Sequence, residues 1–302
     1  MSHALEVEGL EVVYPNGAHA LRGLDLVVPS GGVTALVGES GCGKSTVALA
    51  VLGLLPRRAR VRGSIRVAGA EVVGAAPEEL RALRGKAVGL VPQDPVAACD
   101  PLRRVGHHVA ESWRAHGEPG PPGGAAELVG RLGITDARAR LRQRPHQWSG
   151  GMLHRATIAA AVAHRPPLLV ADEPTGSLDA DHARTALDVL RSAADAVLLI
   201  SHDLGVVREH ADRVAIIYAG RVVETGAARE VLSRPAHPYT RALVAAIPTP
   251  GAGLPAPLPG APPRATEEPV GCAFAARCPV ADHRCDRRPP VVAGVACWVV
   301  DR

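Results

Sequence analysis

Gly38-Glu39-Ser40-Gly41-Cys42-Gly43-Lys44-Ser45 decides the fold. It fits G-x-x-x-x-G-K-[ST] and sits between an apolar run, Val33–Val37, and a helical pattern, Ser45–Leu54. Strand, glycine loop and helix in that order make a phosphate cradle. The glycines let backbone N–H groups turn inward, and the helix N-terminus adds partial positive charge. The spacing brings Lys44 to the β- and γ-phosphates and the Ser45 hydroxyl to Mg²⁺. Composition singles out the same position, because 32 of the 34 basic residues are arginine and only Lys44 and Lys86 are lysine. A compact ammonium on a flexible stem fits this cradle, whereas a planar guanidinium fork does not.

The second half of such a site is Leu168-Leu169-Val170-Ala171-Asp172-Glu173. A buried strand ending in Asp172 places that carboxylate on the Mg²⁺ shell, and Glu173 beside it is the candidate general base. Around these two anchors, strand patterns at Ala87–Val91, Leu168–Ala171, Ala196–Ile200 and Val214–Tyr218 alternate with helix patterns at His154–Ala163 and Ala183–Ala193. That alternation predicts an α/β fold with a largely parallel sheet. Leu5–Val13 and Leu24–Val28 alternate in the antiparallel manner, so the sheet is expected to be mixed at the front.

The 302 residues are 47% hydrophobic with seven aromatics, so the core is to be built from Val, Leu, Ile and Ala, and whole-chain disorder is excluded. Charge or Pro/Gly breaks every apolar run before about 18 residues, which argues against a membrane span. The net charge of +4 is dispersed, and without a clustered basic face no nucleic-acid partner is expected. The acidic start, MSHALEVEGLEV, lacks the layout of a secretory signal. The six cysteines are therefore expected in a reducing cytosol, as metal ligands or inert thiols.

Gly117–Gly124 is a Gly/Pro surface loop, and Pro248–Pro263, with seven Pro and three Gly, is an extended linker. The linker divides a cassette, residues 1–247 with a helical lobe at about 94–160, from a tail, residues 248–302. The tail holds Cys272, Cys278, Cys285 and Cys297 in a spacing that matches no common zinc finger. Four thiolates in a segment too short for its own core predict a metal staple. Cys42 fills a variable position of the phosphate loop, and Cys99 has no partner nearby.

Between the two halves of the phosphate site the chain resembles the ABC transporter ATPases. Gln93 matches the family's Q-loop, which contacts Mg²⁺ and senses the membrane subunit. Ser149-Gly150-Gly151-Met152 matches the signature motif, Ser177-Leu178-Asp179 the D-loop and His202 the switch histidine, while Tyr14 falls where an aromatic stacks on adenine. The resemblance implies a RecA-like core with a mixed sheet, an antiparallel β subdomain and a helical subdomain. It implies ATP and Mg²⁺ held by Tyr14, by Gly38, Glu39, Ser40, Gly41, Cys42, Gly43, Lys44, Ser45 and Thr46, and by Gln93 and Asp172. Ser149, Gly150, Gly151 and Asp179 are implied to reach the nucleotide of an opposite cassette. Glu173, His202 and Lys44 are the implied catalytic set. Trp148, at the first signature position, departs from the usual Leu.

His237-Pro238-Tyr239-Thr240, Gly271-Cys272-Ala273-Phe274 and Arg277-Cys278-Pro279 resemble the oligopeptide/dipeptide (and nickel) importer branch. That resemblance implies a peripheral ATPase on the cytoplasmic face of the plasma membrane. Its implied partners are two membrane-spanning permease subunits and a second ATPase, a paralogue rather than a copy of itself, with an extracytoplasmic substrate-binding protein acting indirectly. Some members hold a four-iron four-sulfur cluster at the tail cysteines; zinc and no metal remain open there. An exporter ATPase, a nickel or other solute importer, and a soluble ATPase acting on nucleic acid are the alternative readings.

Overall fold

The computed structural model describes residues 3–176, 178–247 and 258–299. Ser177 of the expected D-loop and most of the expected linker, residues 248–257, lie outside the described residues. The strands are β1 (His3–Val13), β2 (His19–Pro29), β3 (Gly32–Val37), β4 (Arg60–Val67), β5 (Ala70–Glu71), β6 (Val88–Val91), β7 (Leu168–Asp172), β8 (Ala196–Ser201), β9 (Arg213–Tyr218), β10 (Arg221–Ala227), β11 (Val291–Val292) and β12 (Val295–Ala296).

They form two sheets among the described residues. One is antiparallel, in the order β2-β1-β4-β5; the other is mixed, in the order β11-β12-β10-β9-β3-β8-β7-β6. The strands from β9 to β6 in that order run parallel, and β10, β12 and β11 join antiparallel. The expected mixed α/β fold is what forms; most expected strand ends are displaced by a residue or two, while β2 begins at His19, five residues before the expected Leu24. The helix pattern read from His154 begins earlier, at Gly150, so the helix Gly150–Ala161 starts on the signature glycines. Strand β4 escapes a pattern reading because its sequence, RVRGSIRV, carries three arginines and buries only Ile65 and Val67.

The strands of the mixed sheet are apolar on both faces, and their period of two divides the interior. In β7, Leu168 and Val170 pack with the antiparallel sheet and the helix Lys44–Val51, while Leu169 and Ala171 face the helical lobe. In β8, Leu198 and Ile200 make the same split against Val197 and Leu199. Trp148 fills the lobe: it is 6% exposed and donates its indole N–H to the Arg140 carbonyl at 3.3 Å. The substitution for Leu is thus accommodated as a packed side chain with its polar edge satisfied.

The tail is not a separate body. Val295 of β12 pairs with Glu224 of β10, which extends the main sheet, and Phe274 is buried in a third apolar group with Tyr218, Tyr239 and Val223. A 42-residue described segment (258–299) with no core of its own obtains one by sharing the cassette's edge.

Candidate nucleotide site

The ends of β3, β7 and β8 set out the site, because parallel neighbours terminate at one edge and their loops face a common crevice. A cavity of about 620 Å³ lies there, lined by the phosphate loop together with Gln93, Asp172, Glu173 and His202. The loop has to be glycine where it crosses its neighbours. A Cβ on Gly38 would stand 2.2 Å from the Ile217 carbonyl oxygen, and Gly43 has φ 109° with the Ala20 carbonyl 2.8 Å from its would-be Cβ. Gly43 then caps the helix Lys44–Val51. The Lys44 ammonium donates to the carbonyls of Gly38 at 2.7 Å and Glu39 at 3.0 Å, so it already lies along the floor of the cradle.

Asp172 ends β7 only 6% exposed. Burial raises its pKa, a hydrogen bond from Ser45 and the Lys44 charge oppose that rise, and Glu173 adds to it. A buried carboxylate bonded to a hydroxyl, with the Gln93 amide on the same cavity, is an all-oxygen donor set that suits a hard cation such as Mg²⁺.

Glu173 has φ 50°, a left-handed conformation that costs a residue with a Cβ about 1 kcal/mol or more. The strain is held by the Glu173 N–H donating to the Ile200 carbonyl at 2.9 Å, and by His202. His202 donates its backbone N–H at 3.1 Å and its ring Nδ1 at 2.7 Å to Glu173 Oε1. A carboxylate only accepts, so the proton sits on Nδ1 and leaves the other ring nitrogen outward on a side chain that is 74% exposed. The carboxylate itself is 11% exposed and carries a fixed orientation into the cavity.

The remaining motif residues are elsewhere. Ser149 caps the helix Gly150–Ala161, accepting the Met152 N–H at 3.3 Å, and it and Gly150 are exposed. Asp179 caps the helix Ala180–Ala193 and accepts from the backbone N–H and ring of His182, which hold its carboxyl below the usual range. Neither lines the cavity of its own chain. Tyr14 packs half-buried on the first core with its hydroxyl 3.2 Å from Thr46 Oγ1, and it too is not among the cavity's lining residues. Lys86, which had no role in the sequence, pairs with Glu118 at 2.6 Å on the surface.

Two features behind the loop were missed. Tyr239 accepts the Glu39 backbone N–H at 2.9 Å, and Arg277 of the tail grips the Glu39 carboxylate with two donations, at 2.8 and 3.0 Å. His237 caps its own helix by accepting the Tyr239 N–H at 3.0 Å on Nδ1, and its other edge bonds the Ala296 backbone. Burial pushes its pKa down to about 4, so the ring is neutral. The His-Pro-Tyr motif was visible in the sequence, but what it joins was not.

In the tail, burial raises the Cys272 thiol, and Cys285, Cys297 and Cys278 are close enough to raise it further. Among the described residues, however, no three or more His, Cys, Asp or Glu side chains are grouped as a ligand set for a metal ion.

The crevice and its phosphate loop define a nucleotide-binding cassette. A family model described as ABC transporter matches residues 21–176, and one described as oligopeptide/dipeptide transporter, C-terminal region, matches 223–285. The chain belongs to the ABC transporter family, in its oligopeptide/dipeptide branch. It is 42% identical over 311 residues to the oligopeptide transport ATP-binding protein OppD of Mycobacterium tuberculosis, a match covering 98% of this chain and 51% of that protein. It is 38% identical over 323 residues to the dipeptide transport ATP-binding protein DppD of Bacillus subtilis, covering 100% and 96%. The chain thus spans about half the length of the mycobacterial relative and nearly all of the other. A dimeric ATP-binding cassette solved with ADP and Pi superposes with a TM-score of 0.66 at 23% identity, over 74% of this chain and 99% of that one, which supports the fold. No helix among the described residues is long and apolar enough to cross a membrane.

Proposed function

We propose that this chain is the ATP-hydrolysing subunit of an importer for peptides or similar small solutes. The observation that carries the reading is the convergence of Lys44, Asp172, Glu173 and His202 on one crevice. Binding falls to the loop amides and Lys44, whose ammonium exchanges two carbonyls for phosphate oxygens. Ser45, Asp172 and Gln93 would hold Mg²⁺, which when bound neutralises charge on the phosphates. Glu173 accepts the proton of the attacking water, while His202 fixes the carboxylate and, with its second ring nitrogen also protonated, would donate to the γ-phosphate.

Ser149, Gly150 and Asp179 lie outside their own cavity at exposed helix starts, which supports a site completed by a second cassette. A paralogue is the proposed partner, with two permease subunits at the cytoplasmic face of the plasma membrane and a separate extracytoplasmic protein choosing the cargo. For the tail we propose a structural iron–sulfur cluster or zinc ion at Cys272, Cys278, Cys285 and Cys297, a reading that rests on the presence of four cysteines in so short a segment. Iron, acid-labile sulfide and zinc analysis after anaerobic purification tests it, and absence of all three removes it.

The catalytic reading is tested with Glu173→Gln. MgATP binding should persist while steady-state turnover falls by about 10³-fold or more. Retained turnover would remove Glu173 from the role of base.

A further inference from the structure

We propose that Arg277 is a positioning residue for the phosphate loop, holding and neutralising Glu39 so that the C-terminal tail sets the affinity of the cradle for a nucleoside triphosphate. The inference rests on the ATP-binding reading above.

Glu39 is the joint. Its backbone carbonyl accepts from Lys44, its N–H donates to the Tyr239 hydroxyl, and its carboxylate is clamped by both terminal nitrogens of Arg277. It also lines the nucleotide cavity, so its negative charge stands beside the place where a polyanion binds. An unpaired carboxylate there would repel the triphosphate and let the loop turn away from it. Arg277 cancels that charge, and its planar fork fixes the direction of the carboxylate as a single ammonium would not.

The clamp is built into the tail. The Arg277 side chain is 5% exposed, its Nε donates to the Pro259 carbonyl at 2.8 Å, and its guanidinium lies 5.8 Å from the Tyr218 ring centre and 5.9 Å from that of Phe274. A guanidinium held by a carbonyl, a carboxylate and two aromatic rings has little freedom to find another partner. Cys278 is its chain neighbour, and Cys272 packs in the same apolar group. Arg277 thus joins the thiol segment to Glu39.

The test is equilibrium binding of MgATP to the full chain at fixed ionic strength, using displacement of a fluorescent ATP analogue. Arg277→Met should weaken binding about tenfold, and Arg277→Lys, which keeps charge but not the fork, should fall between that variant and the wild type. Adding Glu39→Gln to Arg277→Met should restore affinity to within about threefold of wild type, because no unpaired carboxylate remains. A role in packing alone cannot produce that restoration, since the double variant lacks the arginine equally. Unchanged binding in Arg277→Met, or a double variant as weak as the single one, would overturn the proposal. A wild-type chain that binds no MgATP would instead overturn the nucleotide reading itself.

Discussion

The phosphate loop has two faces built in opposite ways. Toward the crevice it presents polar groups on an open cavity, with His202 mostly exposed and Glu173 in a strained backbone conformation. Toward the tail it rests on a dry seam, where Tyr218, Tyr239 and Phe274 meet with ring centres 4.6–5.4 Å apart around a nearly buried arginine. The difference teaches that preorganisation and chemistry are divided between the faces. Groups that exchange partners during turnover have to be accessible, whereas the groups that hold the loop still work best where water cannot compete for their hydrogen bonds.

The comparison can be broken most directly at the open face. Lys44→Met should abolish measurable turnover, a loss on the order of 10³-fold or more, while the melting temperature stays near that of the wild type. A melting temperature that collapses with activity would show that the open face also carries stability. On the dry face the expectation reverses: Phe274→Ala should cost about 3–5 kcal/mol in denaturant unfolding, because the ring is 2% exposed among rigid neighbours.

A smaller effect comes from pH. His237 has a folded pKa of about 4 against an ordinary 6.5, so it stays neutral in the folded chain while the unfolded chain takes up a proton. Stability should hold above pH 6.5, fall by about 3 kcal/mol as the pH drops from 6.5 to 4, and level off below that for this group. Replacement by Asn should flatten this part of the curve; an unaltered slope would assign it to other groups. Least affected should be Lys86→Met, since the pair with Glu118 is exposed and solvent-screened. Its melting temperature should match the wild type.

Much of the open face was legible because its chemistry is local. A glycine loop, a lysine in an arginine-rich chain, and a strand ending in Asp172-Glu173 each announce themselves within eight residues. The dry face was not. Tyr239 and Phe274 stand beside recognisable motifs, yet nothing in their neighbourhood says that they meet each other or that Arg277 reaches a carboxylate 238 positions away. The tail strands β11 and β12 went unread for a related reason, since two-residue strands carry no periodicity and acquire their register only from the edge they join.

By itself the sequence determined the parallel core, the order of the elements around the crevice and most of the groups that line it, because short-range pattern and backbone sterics dictate them. Only the tertiary structure decided that the tail is part of the cassette and that Glu39 is held from behind. A segment without enough apolar surface for its own core has no stable shape until the cassette's edge supplies one, and a charge pair between distant positions exists only once that docking has excluded water.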